Sequence, residues 1–360
     1  MSKIYSVFTG TGSYVPTKQI KNEYFNSYEF YDSTGEKLPT LNDDITKKFE
    51  EITTIAERRY AEDNESTSDL ALIASQRAIE AAGIDKEDLD YIIFAHNFGE
   101  TRVDNIAIDI VPSMAARLKN KLGIANPRAV AYDLLFGCPG WVQAVIQADY
   151  YIRSGDAKKI LVVGADVLSR ISDPHDRDSM IYADGAGAAI MEARESDTPV
   201  GILGHTTRSD SLDYAYMLRM GYSYNAELAK KGDYYLKMNC RRLYQYALEN
   251  VPKAIKAGLD KLNMNITEID KVLIHQANGK MDDAILYRLF KLYGIKEVPE
   301  SIMPMTISWL GNSSVATVPT LLDLLTRNEL DEHRINSNNN IVLASVGAGM
   351  NINSIVYRLP

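Results

Sequence analysis

The stretch DLDYIIFAHN (residues 88–97) has a counterpart later in the chain, EIDKVLIHQAN (residues 268–278). Each consists of an acidic turn, a short continuous apolar run, and polar residues where that run ends. A continuous apolar run of this length is typical of a strand buried on both faces of a sheet. Asp90 and Asp270 occupy equivalent places, and half of the 360-residue chain separates them. The two stretches therefore predict an internal duplication.

Three more sequence pairs follow in the same order, of which the last is the weakest. They are FGCPG (136–140) with LGNSS (310–314), KILVVG (159–164) with NIVLAS (340–345), and YADGAGA (182–188) with SVGAGM (345–350). Amphipathic helical patterns such as residues 68–82 alternate with the strands in each half. We therefore expect two α/β halves packed together, residues 1–195 and 196–360, joined near Pro199.

The overall composition limits the class of protein. A hydrophobic content of 46% with 24% charged residues predicts a well-packed globule. The formal net charge of −9 argues against a general nucleic-acid binder, which needs an excess of Lys and Arg. No apolar run approaches the roughly 18 residues of a membrane span, and no signal-like segment opens the chain, so we expect a cytoplasmic protein. The two cysteines form neither a disulfide framework nor a zinc-binding spacing.

Three distant residues are predicted to share one cleft. The duplication places the loops of Cys138 and Asn312 opposite each other, each at the start of a helix, and His275 follows a buried strand. A thiol, an imidazole and an amide together are the pattern of a nucleophile with polar helpers. The helix that begins near Pro139 predicts a lowered thiol pKa for Cys138, because a helix N-terminus stabilises a thiolate. Cys240 lies in a polar run and is interpreted as a structural cysteine.

A glycine-flanked turn near the C-terminus, Gly347-Ala348-Gly349, is a candidate for binding an oxyanion. Glycines allow backbone amides to approach a ligand closely. An amide in this turn, together with the amide of Cys138, would form an oxyanion hole. A plain turn is the alternative interpretation of these residues.

Taken in order, these segments resemble the β-ketoacyl-acyl-carrier-protein synthase III family of the thiolase superfamily, over nearly the whole chain. The most specific matches are HQAN (275–278) and GNSS (311–314). The other matching segments are TGTGSYVP (9–16), GADVLSR (164–170), DPHDR (173–177) and YADGAGAA (182–189). The resemblance implies a thiolase-like fold with a layered αβαβα core. It also implies a ketosynthase, an acyltransferase of fatty acid or related lipid or polyketide biosynthesis.

The resemblance further implies a ping-pong Claisen condensation. Cys138 would carry the acyl primer, with the amides of Cys138 and Ala348 as the oxyanion hole. His275 and Asn312 would bind the thioester carbonyl of a malonyl group on acyl carrier protein, and would stabilise the enolate formed as carbon dioxide leaves. Coenzyme A or carrier-protein thioesters would be the substrates, and no metal or redox cofactor would be needed.

Four further residues receive roles from the same resemblance. Arg177 and Asn278 would line the pantetheine route, and Lys280 would contact the acidic carrier protein. The family works as a homodimer, in which Val111 would reach toward the pocket of the partner subunit.

The chain departs from the family pattern in two ways that affect the primer. The tryptophan that stacks on the adenine of coenzyme A is missing, and Phe49 is the nearest aromatic residue, which puts an acetyl-coenzyme A primer in doubt. Two extra segments, near residues 24–44 and 209–235, are rich in aromatic residues. Each is interpreted as either a surface loop or a reshaped substrate tunnel.

Glu100 lies in the stretch GETRVD (99–104) and opens an alternative chemistry. Hydroxymethylglutaryl-coenzyme A synthases carry a glutamate acid/base in a similar motif. A salt bridge to Arg102 is the simpler interpretation. The alternative function is a non-decarboxylating condensation of β-ketoacyl thioesters, of this kind or of the kind that forms alkylresorcinol precursors. A catalytically silent subunit is a third possibility, and the presence of Cys138 together with its two helpers argues against it.

Overall fold

The computed structural model describes residues 3–360. Its β-strands are β1 Lys3–Tyr14, β2 Lys18–Lys21, β3 Glu57–Tyr60, β4 Tyr91–Ala95, β5 Val130–Leu134, β6 Lys159–Val167, β7 Asp184–Ser196, β8 Gly201–Ser209, β9 Leu218–Tyr222, β10 Tyr234–Met238, β11 Lys271–Ile274, β12 Asn340–Gly347 and β13 Asn351–Arg358. Its α-helices are α1 Asn42–Thr53, α2 Thr67–Ala82, α3 Met114–Leu122, α4 Gly140–Ser154, α5 Ser211–Tyr214, α6 Ala226–Ala229, α7 Cys240–Lys261, α8 Gly279–Lys291, α9 Ile307–Leu310 and α10 Thr317–Thr326.

Two sheets repeat one topology, as the duplication predicts. The first has the order β1-β7-β6-β4-β5, and the second has the order β8-β13-β12-β11. In the first sheet β4 and β6 are parallel and β7 and β1 continue antiparallel. In the second, β11 and β12 are parallel and β13 and β8 continue antiparallel. The predicted α/β fold of two duplicated halves is therefore confirmed, and β5 is an addition at one edge.

The sheets and helices stack in five layers. Helices α4 and α10 lie between the sheets, where Trp141 and Leu322 belong to one buried core with residues of both sheets. Helices α2 and α3 cover the outer face of the first sheet through side chains such as Leu70. Helices α7 and α8 cover the second sheet through Ile255 and Leu289. Apolar side chains removed from water on both faces of each sheet hold this arrangement together.

Helix boundaries follow the local sequence. The amphipathic pattern over residues 68–82 corresponds to α2, which begins after a capping box of Ser66 and Asp69 and ends at Gly83, whose φ is +65°. Helix α4 begins directly after Pro139 and ends at Gly155, with φ +83°. Proline is favoured at a helix start because its missing N–H has no partner there in any case. Among residues 3–360, no helix has both the length and the apolar character that a membrane crossing requires.

The starts of the two central helices are brought together by close backbone packing. A Cβ on Gly164 of β6 would lie 2.7 Å from the Val315 carbonyl oxygen, so only glycine lets the turn before α10 approach the strand. On the other side, the Ala183 amide donates to the Asn312 carbonyl at 2.8 Å, and the Asn312 amide donates to the Ile181 carbonyl at 3.0 Å. These contacts fix the Asn312 loop against the half of the chain that carries Cys138.

The two inserted segments form separate structures that line the same surface clefts. Residues 209–235 contain the short helices α5 and α6 and most of the hairpin β9–β10, in which Leu218 pairs with Met238 and Met220 pairs with Leu236. Lys237 anchors this hairpin, because its buried ammonium group donates to Asp176 at 3.1 Å and also pairs with Asp173. Residues 24–44 approach the loop after β9, where a Cβ on Gly35 would lie 3.5 Å from the Tyr224 carbonyl oxygen, and they lead into α1.

Candidate active site

Cys138 occupies the turn between β5 and α4, directly before the first residues of the helix. The preceding Gly137 has φ +67°, a left-handed conformation that favours glycine. The side chain of Cys138 is half-buried, and the Ser314 hydroxyl donates to its sulfur at 3.5 Å. The thiol therefore faces the turn that precedes α10.

The expectation of a lowered thiol pKa at Cys138 is wrong. Burial raises the pKa of Cys138 to about 11, and the charge of Asp166 acts in the same direction. The hydrogen bonds from Ser314 and from the Cys138 amide act in the opposite direction and are weaker. The physical reason is that the described residues place no cation beside the sulfur, so that desolvation outweighs the stabilisation expected at a helix start. The resting thiol is protonated at neutral pH.

The backbone amides of Cys138 and Ala348 are neighbours because glycine stands opposite each of them. A Cβ on Gly347 would lie 2.5 Å from the Cys138 nitrogen, and a Cβ on Gly137 would lie 2.7 Å from the Ala348 nitrogen. Both values are shorter than any tolerated contact. The two loops can meet this closely only because both glycines lack a side chain. The arrangement suits an oxyanion hole made of two backbone N–H groups.

His275 follows β11 at the edge of the second sheet, where its amide donates to the Ala344 carbonyl at 2.9 Å. The imidazole is buried, and this burial lowers the pKa of His275 to about 4. The ring is therefore neutral at pH 7. Its Nδ1 atom has no hydrogen-bond partner among the described residues. A neutral imidazole at the cavity can donate one hydrogen bond to a substrate oxygen.

Asn312 has its side-chain orientation fixed by one hydrogen bond. Its Oδ1 atom accepts from the Ser314 amide at 2.9 Å, which leaves the Nδ2 group available as a donor. Gln276 supports the same region from a distance, because its Oε1 atom accepts from the amides of Thr306 and Ile307 at the start of α9. Through Gln276, the HQAN motif is therefore hydrogen-bonded to the start of the short helix that leads into the GNSS motif.

Three polar residues beside the nucleophile were missed from the sequence. Asn97 donates through Nδ2 to Asp166 at 2.7 Å and to the Ser314 hydroxyl at 2.9 Å. Asp166 is buried, and this burial raises its pKa. A chain of hydrogen bonds thus runs from Asp166 through Asn97 and Ser314 to Cys138. The position of Asn97 at the end of β4, equivalent to the HQAN strand in the duplication, was an available signal.

These groups line one narrow cavity of about 60 Å³. Its polar residues include Cys138, His275 and Asn312, so the structure brings together all three predicted catalytic side chains. The remaining walls are mostly apolar. The apolar and aromatic residues that line it are Phe98, Leu168, Tyr182, Leu218, Leu236, Met238, Leu243, Ala277, Met281, Val346 and Ala348.

The inserted segment 209–235 contributes a wall of the cavity through its hairpin. Leu218 of β9 lines the cavity, and so do Leu236 and Met238, which lie in the part of β10 just after the segment. The tyrosines Tyr222 and Tyr234 lie at the other end of the same face, where their tilted rings are in contact with centroids 4.7 Å apart, and both are exposed. The segment is therefore a surface structure whose apolar end forms part of the cavity wall. It combines the two interpretations of the sequence, a surface loop and a reshaped substrate tunnel.

An outer cleft of about 440 Å³ contains two of the residues assigned to the pantetheine route. Arg177 and Asn278 both line it, and Phe49 stands in its wall. Phe49 also packs near the buried guanidinium of Arg58, 5.6 Å from the ring centroid. Cys240 lines the same cleft and donates through sulfur to Asp178 at 3.0 Å.

Three other predicted residues lie outside the cavity. Glu100 accepts from the Ser68 amide at 2.9 Å and from its hydroxyl at 2.7 Å, so its carboxylate caps the start of α2. Its partner is Ser68 rather than Arg102, and the structure does not bring it to the nucleophile. Lys280 is exposed in the first turn of α8. Val111 is exposed before Pro112.

Comparison with known proteins gives two matches to models of one family. Residues 132–211 match the 3-oxoacyl-[acyl-carrier-protein] synthase III model, and residues 259–359 match the model of its C-terminal region. Together the two matches cover just over half of the chain.

Solved structures resemble the chain over its whole length. The β-ketoacyl-[acyl carrier protein] synthase III of Thermus thermophilus is 28% identical with a TM-score of 0.78, over 98% of this chain and 99% of that one. The 3-oxoacyl-[acyl-carrier-protein] synthase III of Aquifex aeolicus VF5 is 25% identical with a TM-score of 0.77, over 99% and 100%. The priming β-ketosynthase of the R1128 polyketide biosynthetic pathway is 25% identical with a TM-score of 0.81, over 99% and 96%.

The duplicated α/β fold, with a cysteine, a histidine and an asparagine at one cavity, defines a condensing enzyme of the thiolase fold. The chain belongs to the 3-oxoacyl-[acyl-carrier-protein] synthase III family. It is accordingly a ketosynthase, an acyltransferase of fatty acid or polyketide synthesis.

Proposed function

We propose that Cys138 carries the acyl primer as a thioester. The sulfur attacks the primer carbonyl, the developing oxyanion lies between the amides of Cys138 and Ala348, and the C–S bond to the donor breaks. The Cys138 proton ends on the leaving thiolate, which departs as a free thiol. The shared cavity and the close approach of the two amides support this step. Two backbone N–H donors in a site that excludes water stabilise such an oxyanion by several kcal/mol, on the order of 3 each.

In the second step, a malonyl thioester loses carbon dioxide to give an enolate. The bond between the α-carbon and the carboxylate breaks, and its electron pair moves into the enolate. His275 and Asn312 then donate hydrogen bonds to the thioester oxygen, where the negative charge develops. The resulting carbanion attacks the acyl-cysteine carbonyl and expels the Cys138 thiolate. The neutral imidazole and the fixed amide orientation support this assignment, because both groups are donors at pH 7.

The observation that best supports the proposal is that the polar side chains at the cavity are neutral donors and not carboxylates. Of the described residues that line it, none is an aspartate or a glutamate. Removing a proton from an unactivated α-carbon requires a base, whereas decarboxylation forms the same enolate without one. His275, with a pKa of about 4, is a weak base. Two neutral donors without a carboxylate therefore suit a decarboxylating condensation.

The second candidate is a non-decarboxylating condensation of β-ketoacyl thioesters. It would need an acid/base such as Glu100 at the reacting carbon. The Glu100 carboxylate is instead engaged by Ser68 at the start of α2. This engagement makes the alternative the less favoured function.

We also propose that acyl carrier protein delivers the malonyl group and that coenzyme A or carrier protein delivers the primer. A pantetheine arm would pass Arg177 and Asn278 in the outer cleft, and exposed Lys280 would contact the acidic carrier. We propose that no metal or redox cofactor takes part, because every step is assigned to a side chain or a backbone amide. The need for a free thiol at Cys138 favours a reducing, cytoplasmic compartment.

A homodimer is proposed from two surface features. Strand β5 is at the edge of the first sheet, and an unpaired edge of this kind is a template for pairing with another chain. Leu135, just after β5, is exposed, as are Ile110 and Val111 in the loop before α3. Apolar side chains exposed together mark an interaction surface. Light scattering coupled to size exclusion tests this assembly, and a monomer at micromolar concentration would contradict it.

The experiment that tests the proposed function is intact-mass analysis after incubation with acyl thioesters of graded chain length. We expect one acyl group per chain, mapped to Cys138 by peptide sequencing and absent from Cys138→Ala. A Cys240→Ala variant is the matched control and should acylate normally. Acylation that remains in the Cys138→Ala variant would overturn the assignment of the nucleophile.

A further inference from the structure

Tyr182 is a buried residue of the cavity whose hydroxyl group has no partner. Its side chain is 4% exposed, and it lines the cavity together with Cys138, His275 and Asn312. No group among residues 3–360 forms a hydrogen bond with its hydroxyl oxygen. A buried hydroxyl without a partner costs folding free energy, because it has lost its hydrogen bonds to water.

Packing alone does not explain this hydroxyl. The ring of Tyr182 belongs to an apolar cluster with Leu168, Leu236 and Ile307. Phenylalanine would fill the same space without leaving a polar atom unpaired. The hydroxyl is therefore a cost to the fold that a ligand can offset.

The backbone holds Tyr182 in a fixed place relative to the catalytic amide. The residues on either side of Tyr182 are hydrogen-bonded to Asn312, Ile181 through its carbonyl and Ala183 through its amide. The backbone of Tyr182 therefore cannot shift without moving Asn312, and the apolar cluster around the ring restrains the side chain. A hydroxyl held in this way is a preorganised donor.

The location of Tyr182 indicates which part of a substrate its hydroxyl can contact. Tyr182 lines the same cavity as Cys138, and burial raises the pKa of its hydroxyl well above the usual value. Tyr182 therefore lies beside any thioester that approaches Cys138, and its hydroxyl is protonated at neutral pH. It can donate a hydrogen bond but cannot act as a base.

We propose that the Tyr182 hydroxyl donates a hydrogen bond to a neutral carbonyl or hydroxyl oxygen of the substrate, beside the thioester that reacts at Cys138. This inference rests on the proposed function, because it requires a thioester to enter this cavity. Such an oxygen has two sources. One is a substituent on the acyl group, as in a 3-oxo or 3-hydroxy acyl chain, and the other is the pantetheine amide nearest the sulfur.

The test compares the wild type with Tyr182→Phe in the rate of Cys138 acylation, measured by intact mass. Three butyryl-type donors separate the sources: butyryl-coenzyme A, 3-hydroxybutyryl-coenzyme A, and S-ethyl thiobutyrate, which has neither the amide nor the hydroxyl. Tyr293→Phe is the matched control, because the Tyr293 hydroxyl is also buried without a partner but does not line the cavity. Loss of one neutral hydrogen bond predicts a reduction in kcat/KM of about twofold to tenfold.

Each outcome has a definite meaning. A loss with both coenzyme A donors but not with S-ethyl thiobutyrate supports the proposal with the amide as acceptor. A loss confined to the 3-hydroxy donor supports it with the acyl oxygen as acceptor. Wild-type rates with all three donors overturn it, and so does a lower thermal midpoint for Tyr182→Phe, because the hydroxyl would then have a partner within the protein. Failure of the wild type to acylate Cys138 contradicts the proposed function instead.

Discussion

Gly347 should be the most sensitive single position of the oxyanion hole. In Gly347→Ala the new Cβ would lie 2.5 Å from the Cys138 nitrogen, whereas ordinary contact begins at 3.4 Å. The two loops must therefore separate by about 0.9 Å, the difference between these two distances. The φ of Gly347 is −168°, an extended value open to any residue, so the effect comes from the contact and not from backbone strain.

This separation acts on catalysis more than on folding. A displacement of about 1 Å of a catalytic group lowers a rate on the order of 100-fold, which is also the cost of removing one oxyanion donor. Overpacking in a well-packed site lowers the free energy of unfolding by about 1–3 kcal/mol. We therefore expect Gly347→Ala to fold and to acylate Cys138 roughly 100-fold more slowly.

The assay is the pre-steady-state rate of Cys138 acylation, followed by intact mass, with denaturant unfolding in parallel. Gly258→Ala in α7 is the matched control, because its new Cβ would meet Thr206 at an ordinary 3.5 Å. Alanine is favoured over glycine inside a helix, so this control should gain up to about 1 kcal/mol of stability and keep its acylation rate. Acylation of Gly347→Ala within threefold of the wild type would refute the oxyanion role of this turn.

Three further predictions concern charges and titration. Glu100→Gln should lower the free energy of unfolding by about 0.5–1 kcal/mol through the weakened α2 cap and keep kcat within about twofold; a loss above about 100-fold would instead indicate an acid/base role. Lys237→Ala should cost about 3–5 kcal/mol in denaturant unfolding because two buried carboxylates lose their cation, whereas Lys253→Ala, from an exposed pair, should cost under about 1 kcal/mol. The raised pKa of Cys138, about 11, leaves the thiol neutral at pH 7, so its alkylation by iodoacetamide should accelerate about tenfold per pH unit between pH 7 and 9. An alkylation rate independent of pH would contradict the raised pKa.

The architecture was predictable because the duplication leaves a signal that a single sequence can carry. The runs before His96 and His275 are both short, continuous and largely apolar, and they form β4 and β11, which occupy equivalent places in the two sheets. The convergence of Cys138, His275 and Asn312 followed from the rule that ligands bind at the carboxyl ends of strands. Each of these inferences depends on chain order and periodicity alone.

Side-chain pKa values, hydrogen-bond partners and the residues that line the cavity were not predictable in the same way, because they depend on tertiary contacts. The helix start at Cys138 indicated a lowered pKa, but its sign is set by burial and by the Asp166 charge, which the sequence does not locate. Glu100 looked like a candidate acid because of its local motif, and only the fold shows that Ser68 is its partner. The tyrosines are the conspicuous residues of the inserted segment, whereas Leu218 lines the cavity together with Leu236 and Met238 of the same hairpin, because strand register decides which residues face inward.

The neutral donors at the cavity have a consequence for pH dependence. Because burial lowers the pKa of His275 to about 4, its imidazole does not titrate between pH 5.5 and 7.5. Between pH 5.5 and 7.5, the pH profile of the rate of enolate formation should therefore have the same shape in the wild type and in His275→Gln. An inflection centred near pH 6.5 that disappears in this variant would contradict a neutral donor.

The central claim is a decarboxylating condensation on acyl-Cys138, and the ratio of carbon dioxide released to ketoacyl product tests it most directly. The measurement uses malonyl-acyl carrier protein labelled in its free carboxylate and a primer that acylates Cys138. We predict that one carbon dioxide is released for each 3-oxoacyl product. We also predict that a variant with both His275→Ala and Asn312→Ala forms product and carbon dioxide more slowly than the wild type. Product formed with the label retained, or formed unchanged by that double variant, would contradict the account.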